Sequence, residues 1–203
     1  MLASEIRTPD RILQKALELF STKGYDATPV REICEAAGVT KPTLYHFYGS
    51  KEGVYRALVE GTLEEYRQGV REAVQAGGDL AACLKRVARG HFEYTRERRQ
   101  LVRFLLGLIH NPPSSAPATD FHRFYRDVVG EVARLVEEGV AEGQLAPGPT
   151  EVRMLVYMGA IGEALHGYLL LGRPDLTPEL ADTLVETVLE GWGAASQGRK
   201  PTT

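Results

Sequence analysis

One short stretch of the chain, VTKPTLYHFYGSKE at residues 39–52, combines several types of side chain that could bind a polyanion. Hydroxyl and aromatic residues are interspersed there with two lysines and a histidine, and no Asp or Glu lies between Glu35 and Glu52. Such groups donate hydrogen bonds to phosphate oxygens, which would repel a carboxylate. On charge alone, a solvated helix face is the commoner meaning of such a stretch, and polyanion binding is the sharper hypothesis.

The chain as a whole offers no general attraction for nucleic acid or for an anionic membrane. Its 203 residues carry a net charge of −3, with 43% hydrophobic and 25% charged residues. These values are typical of a folded protein that is large enough to bury a core without disulfide or metal support. A polyanion contact must therefore come from a local patch.

The residues that could do covalent or metal chemistry are scattered. Cys34 and Cys83 are isolated, without zinc-ligand spacing, and they indicate reduced cysteines in a cytoplasmic protein without a metal site. No nucleophile–base pair or glycine-rich phosphate loop is present, and the five histidines lie far apart. We therefore expect no catalytic residues, no cofactor and no enzyme activity. The N-terminus lacks an apolar signal core, and residues 154–172 predict a buried helix rather than a membrane span.

Helical periodicity extends over almost the whole chain and predicts an all-α fold of about nine helices. The first four start at Thr8-Pro9, Thr28-Pro29, Thr40 and Ser50, each with a capping residue. The third runs from Lys41 to Phe47. Longer helices then follow at about 79–96, 98–110, 119–142, 149–171 and 178–196.

The two short helices separated by AGVT have the spacing of a helix-turn-helix, with Gly38 in the turn. In that motif the second helix enters the major groove of DNA. The absence of carboxylates from residues 39–51 fits this position, because the helix would lie between two rows of phosphates. Leu44 and Phe47 are predicted to face the core of the three-helix unit.

The stretch TPVREICEAAGVTKPTLYHFYGSKEGVYRALVEG resembles the DNA-binding domain of the tetracycline-repressor (TetR) family of bacterial regulators. The resemblance covers about residues 8–60, and the rest of the chain matches only in length and number of helices. It implies a helix-turn-helix domain at residues 1–52 and a larger ligand-binding and dimerisation bundle at 53–203, joined by a connecting helix at about 51–76.

The resemblance also assigns DNA contacts residue by residue. Phosphate contacts fall to Thr28, Thr40, Tyr45, His46 and Lys51, and contacts with base edges to Arg31, Lys41, Pro42 and Thr43. An ion pair of Arg31 with Glu32 or Glu35 is the alternative for that side chain.

In this family the last two helices form the dimer interface. The matching residues here are Met158, Gly162, Leu165, His166, Leu184, Val188 and Trp192. The apolar face of either helix could equally pack into the core of the same protomer.

The middle helices of the family enclose an effector. Aromatic and polar residues inside apolar helices are the candidates for contact: Tyr66, Arg89, Phe92, Phe104, Asn111, Phe124, Tyr125 and Tyr157. Residues 85–103 add a basic run, with 7 Lys or Arg against 2 Glu, a local charge of 7 − 2 = +5. This run is either a solvated or salt-bridged face, or the receptor for an anionic ligand with an apolar tail, for which an acyl-coenzyme A would be suitable.

The resemblance thus implies a ligand-responsive, homodimeric transcriptional regulator in the cytoplasm, of the repressor type. It would bind a palindromic operator in double-stranded DNA and leave it when a small, largely apolar effector binds, with no role for a membrane. The alternatives are a helical binding module and a small helical enzyme, both without DNA affinity.

Overall fold

The computed structural model describes residues 7–110 and 112–193, and within them it contains nine α-helices and no strand. The helices are α1 (Thr8–Lys23), α2 (Val30–Ala37), α3 (Lys41–Tyr48), α4 (Lys51–Gln75), α5 (Leu80–Glu97), α6 (Arg99–His110), α7 (Phe121–Ala141), α8 (Thr150–Leu171) and α9 (Pro178–Gly193). The all-α prediction and the order of the helices are confirmed.

Two of the four predicted N-caps are present. The Thr40 hydroxyl accepts a hydrogen bond from the backbone N–H of Thr43 at 3.4 Å, and the Ser50 hydroxyl accepts one from Gly53 at 3.0 Å. The predictions for Thr8 and Thr28 are wrong, because Arg7 and Pro29 occupy the cap positions of α1 and α2 without a side-chain bond.

The chain divides into two compact units, and the boundary between them falls twice along the chain. One unit comprises Met1–Glu65 with Gln100–Phe121, and the other comprises Tyr66–Arg99 with His122–Thr203. The first division lies within α4, so this helix contributes residues to both units. The second places α6 with the N-terminal helices.

The first unit is built on the packing of α1, α2 and α3. Ile12, Ile33 and Leu44, one from each helix, are completely buried. Tyr25 and Tyr55 meet edge to face with ring centroids 5.0 Å apart, beside Phe20. Burial of these side chains fixes the relative positions of the three helices. Helices α2 and α3, with 8 residues each, are too short to be stable alone.

The second unit has a core formed mainly by α5, α7, α8 and α9. Buried side chains line each of these helices, and the largest fully buried ones include Leu84, Phe92, Tyr157 and Ile161. The hydroxyl of Tyr157 is also satisfied, since it donates to the carbonyl of Leu84 at 2.8 Å. The polar group of this large side chain therefore costs little in the core.

Helix α8 has one buried and one exposed apolar side. Met154, Tyr157 and Ile161 are buried, whereas Leu155 and Leu170 are 67% and 75% exposed. By length and composition alone α8 could cross a membrane. The predicted burial of residues 154–172 is correct for one side only.

Candidate functional site

The turn between α2 and α3 is fixed by backbone geometry and by a side chain from α1. Gly38 adopts a left-handed conformation with φ 61° and ψ 40°, which side chains resist. The N–H of Val39 donates to the carbonyl of Cys34 at 2.9 Å and so caps the C-terminal end of α2. The Arg11 guanidinium donates to the carbonyl of Ala37 at 2.8 Å. Together these bonds set the direction in which α3 leaves the turn.

The inner face of helix α3 is fixed to the domain by Leu44 and Tyr48, which lie one helical turn apart. Leu44 is fully buried, and the Tyr48 hydroxyl donates to the carbonyl of Pro9 at 2.9 Å. In the turn between α3 and α4 the backbone of Gly53 lies close to that of Tyr48. A Cβ at Gly53 would lie 1.7 Å from the carbonyl oxygen of Tyr48. Only glycine fits at position 53 without a shift of the Tyr48 backbone. The end of α3 therefore packs directly against the start of α4.

The opposite face of α3 is exposed and has no negative charge. Its exposed residues are Lys41, Pro42, Tyr45, His46 and Phe47, with Thr43 half-buried beside them. The hydroxyls of Thr40 and Thr43 lie 2.9 Å apart at the start of the helix. This face thus presents hydroxyl, imidazole and ammonium groups around the positive end of a helix dipole.

Phe47 corrects the prediction that it faces the core. Its side chain is 43% exposed, and its ring meets His46 edge to face at 5.1 Å. Leu44 and Tyr48 are four residues apart and share the inner side of α3, which turns Phe47 outward. Phe47 is therefore an exposed aromatic on the candidate face that the sequence pattern did not indicate.

Two residues expected to contact phosphate already have partners within the domain. Thr28 is fully buried and its hydroxyl donates to the carbonyl of Gly24 at 2.8 Å, so it is not available to DNA in this structure. The Lys51 ammonium donates to the carbonyl of Tyr25 at 2.7 Å and lies 4.2 Å from the centre of that ring. An ammonium has three N–H groups, so Lys51 can still donate to a phosphate.

Arg31 lies on the outer side of α2 and is paired weakly. Its Nε is 3.4 Å from a carboxylate oxygen of Glu35, and both side chains are largely exposed. An exposed pair of this kind contributes well under about 1 kcal/mol, so a stronger partner could replace it.

The second unit contains a cluster of aromatic rings around Tyr66 on α4. The ring of His91 stacks on it at 5.2 Å, Tyr94 meets it edge to face at 5.1 Å and Phe124 packs at 5.7 Å. The Tyr66 hydroxyl lies 2.7 Å from Nδ1 of His91. The cluster brings together α4, α5 and α7, and Phe92 is buried in the same core.

The comparisons with known proteins point to one family. A family model described as "Bacterial regulatory proteins, tetR family" matches residues 12–58, which include all of α2 and α3. The chain is 35% identical over 82 residues to the transcriptional repressor KstR2 of Rhodococcus jostii, covering 40% of each protein. It is 30% identical over 95 residues to the transcriptional activator FasR of Mycolicibacterium smegmatis, covering 47% of this chain and 43% of FasR.

Residues 12–58 are thus similar to the tetR family of bacterial regulatory proteins. The alignments span less than half the length of KstR2 and FasR. Solved structures match more of the chain at lower identity. The tetR-family regulator PfmR of Thermus thermophilus covers 97% of this chain and 100% of its own, with a TM-score of 0.71 and 23% identity. FadR of Bacillus subtilis, solved with stearoyl-CoA, covers 89% and 97%, with a TM-score of 0.67 and 18% identity. These likenesses show that the second unit also has the fold of these two structures.

The candidate effector residues of this chain are only partly brought together. Tyr66, Phe92, Phe124 and Tyr157 belong to one core. Phe104 lies in the other unit, where it stacks on Phe20 at 6.4 Å. Tyr125 is 56% exposed on α7. Asn111 lies outside the described residues.

Arg89 and its basic neighbours are engaged by partners from the same unit. Nε of Arg89 donates to Asp182 at 2.6 Å, and Nζ of Lys85 donates to Glu186 at 2.5 Å. The hydrogen bond from Arg89 lowers the pKa of the Asp182 carboxyl. Arg86 donates to the carbonyl of Ala73 at 2.7 Å, and Arg99 donates to that of Tyr168 at 3.1 Å. These four of the seven basic residues therefore have partners within the same unit, and Lys85 and Arg89 are paired with carboxylates.

The candidate dimer residues divide between exposed and buried positions. His166 is exposed and Met158, Gly162, Leu165, Leu184 and Trp192 are half-buried. Val188 is 7% exposed within its own core, so little of its side chain is left for a partner. The most exposed apolar residues of α8 are Val152, Leu155, Leu170 and Leu171. None of these four is among the seven candidate dimer residues.

Proposed function

We propose that this chain is a homodimeric transcriptional regulator that binds an inverted-repeat operator in double-stranded DNA through α3. The observation that carries the proposal is the outer face of α3, which exposes donors and no carboxylate on a rigidly supported helix. Lys41 and His46 take part in no ion pair among the described residues. A solvated face that had no partner to meet would be expected to contain acidic residues, as the rest of this chain does.

The proposed contacts follow the geometry of α3. Thr40, Tyr45, His46 and Lys51 donate to phosphates and set the register of the helix on DNA. Arg31, Lys41, Pro42 and Thr43 face base edges, where Arg31 suits guanine and Pro42 suits a thymine methyl. We withdraw Thr28 from the phosphate set because its hydroxyl is buried. We add Phe47 to the proposed DNA contacts as an apolar side chain beside His46.

A homodimer is proposed because one domain of this size contacts too few phosphates for tight binding. Two copies related by a two-fold axis would engage half-sites about 34–36 Å apart. The exposed apolar side of α8 supports this arrangement, since residues such as Leu155 need cover from water. Gly159 and Gly162 on the same helix would let a second helix approach closely.

The proposed effector is a small, largely apolar molecule bound in the second unit. The aromatic cluster around Tyr66 offers an apolar lining, and FadR of Bacillus subtilis is a structural relative solved with stearoyl-CoA. An acyl-CoA is one candidate. The pairing of Lys85 and Arg89 means that an anionic head group there would have to displace Glu186 and Asp182.

The proposed regulation is repression that the effector relieves. Effector binding favours a different position of α4, the helix that contributes to both units, and so lowers the affinity of α3 for the operator. The coupling is reciprocal, so DNA lowers effector affinity by the same factor. A hundredfold effect requires a difference of roughly 2.7 kcal/mol in binding free energy between the two states.

The test begins with selection of bound duplexes from a random double-stranded library. The proposal expects an inverted repeat whose affinity falls steeply as salt rises, because phosphate contacts release counterions. A reporter gene behind that repeat would show repression. A purified protein that enriches no duplex would favour the helical binding module or the small enzyme instead.

A further inference from the structure

The most unusual polar group in the second unit is the imidazole of His91. Its side chain is 2% exposed on α5, and Nδ1 lies 2.7 Å from the Tyr66 hydroxyl. The other nitrogen, Nε2, is buried and has no hydrogen-bond partner among the described residues. Buried polar atoms without partners are rare in folded proteins because each costs about 1–3 kcal/mol.

The position of the imidazole proton follows from counting hydrogen bonds. Among the described residues the Tyr66 hydroxyl has no acceptor other than Nδ1, and burial raises the pKa of this hydroxyl, so the O–H group is intact and must donate. It can donate only if Nδ1 carries no proton, which places the proton on Nε2. The opposite tautomer would leave both the Tyr66 O–H and the Nε2 lone pair unsatisfied. His91 thus presents a buried N–H donor.

The site suits an uncharged ligand group. Burial lowers the pKa of His91 to about 4, so the imidazole is neutral near pH 7. A neutral donor compensates poorly for the desolvation of a carboxylate. A carbonyl oxygen of an ester, thioester or ketone needs one hydrogen bond and loses much less on burial. The stacked Tyr66 ring and the nearby Phe124 would surround the apolar part of such a molecule.

We propose that Nε2–H of His91 donates a hydrogen bond to an uncharged carbonyl oxygen of the effector. This inference rests on the proposed function, because it names the chemistry by which the second unit recognises its effector. The hydrogen bonds then run from the ligand carbonyl through His91 to Tyr66. Tyr66 belongs to α4, so the ligand is connected to the helix that begins directly after α3.

The experiment compares three probes of matched chain length: methyl decanoate, the decanoate ion and undecane. Their affinities for the purified 203-residue protein are measured by displacement of a fluorescent apolar dye. The wild type is expected to bind methyl decanoate at least tenfold more tightly than undecane, and decanoate no better than undecane. His91→Phe should reduce the ester preference to near one, whereas His122→Phe, an exposed histidine on α7, should retain it.

A second measurement does not depend on the folding of a variant. Nitrogen-15 NMR of the ligand-free wild type should show a proton on Nε2 of His91 and none on Nδ1. A proton on Nδ1, equal affinities for ester and alkane, or binding of neither would overturn the inference. Operator binding by the same wild-type sample separates the two proposals. DNA binding without a preference for the ester would reject only the role of His91. Absence of DNA binding would reject the proposed function.

Discussion

Helix α3 and the basic run at residues 85–103 are the two parts of the chain that look suited to an anion, and the structure separates them. In α3 the donors lie on an exposed face without a carboxylate. In the basic run, Lys85 and Arg89 are joined to Glu186 and Asp182, which lie about a hundred residues further along the chain. The run has the greater positive charge, but two of its basic side chains are already paired with carboxylates of the same unit.

The difference teaches that local charge is a poor guide to binding unless the partners from other helices are known. A run of Arg and Lys on α5 meets acidic residues on α9 because these two helices pack together. Helix α3 has no such neighbour on its outer side among the described residues of the first unit. The hydroxyls and the helix N-terminus then matter more than the net charge.

The largest expected effect comes from removing the support of α3. Gly53→Ala would force a Cβ to 1.7 Å from the Tyr48 carbonyl oxygen, so the α3–α4 turn must open. We expect a loss of more than about 3 kcal/mol in unfolding free energy, measured by urea denaturation, with loss of operator binding. Gly61→Ala, in the same helix but with open space around its Cβ, should be neutral or stabilising by up to about 1 kcal/mol. Equal stability of the two variants would contradict the close turn.

The second unit should lose stability in mild acid because of His91. Its pKa is about 4 when folded and about 6.5 when unfolded, so only the unfolded chain takes up the proton between these values. This contribution is complete above pH 6.5 and is lost as pH falls towards 4, by up to about 3 kcal/mol. The check is the difference in unfolding free energy between wild type and His91→Phe across that range. A constant difference would show that His91 is accessible to protons in the folded state.

A smaller effect tests the two basic regions against each other. Lys41→Ala should lower operator affinity at least tenfold, roughly 1.4 kcal/mol, and relax base preference at one position of each half-site. Arg96→Ala, an exposed residue of the basic run, should change neither. Fluorescence anisotropy with the selected duplex at fixed salt measures both variants. An equal loss from Arg96→Ala would indicate that net charge rather than the face of α3 governs binding.

The smallest effect concerns the ion pair of Arg89 with Asp182. A double-mutant cycle with alanine at both positions should give a coupling energy below about 1 kcal/mol in unfolding free energy, since Arg89 is about half exposed. Operator affinity should be unchanged in all three variants. A decrease in effector affinity from Arg89→Ala, with none from Asp182→Ala, would restore the hypothesis that Arg89 receives an anion.

Much of the fold could be predicted because its signals are local. Helical periodicity, the caps at Thr40 and Ser50 and the glycine at the α2–α3 turn each depend on residues within one turn of each other. The orientation of Phe47 could not be predicted, since an eight-residue helix with four apolar or aromatic side chains allows more than one inner face. The partners of Thr28, Lys85 and Arg89 depend on tertiary packing, which a single sequence does not display.

The central claim, that α3 lies in a groove of duplex DNA in two symmetry-related copies, can be tested most directly by site-specific crosslinking. Because Cys34 and Cys83 are buried, a photoreactive group can be attached selectively to His46→Cys or to Arg96→Cys as the control. Crosslinks from position 46 are expected at two places about one helical turn of DNA apart, one in each half-site. Crosslinking from position 46 that is no stronger than from position 96 would contradict the claim.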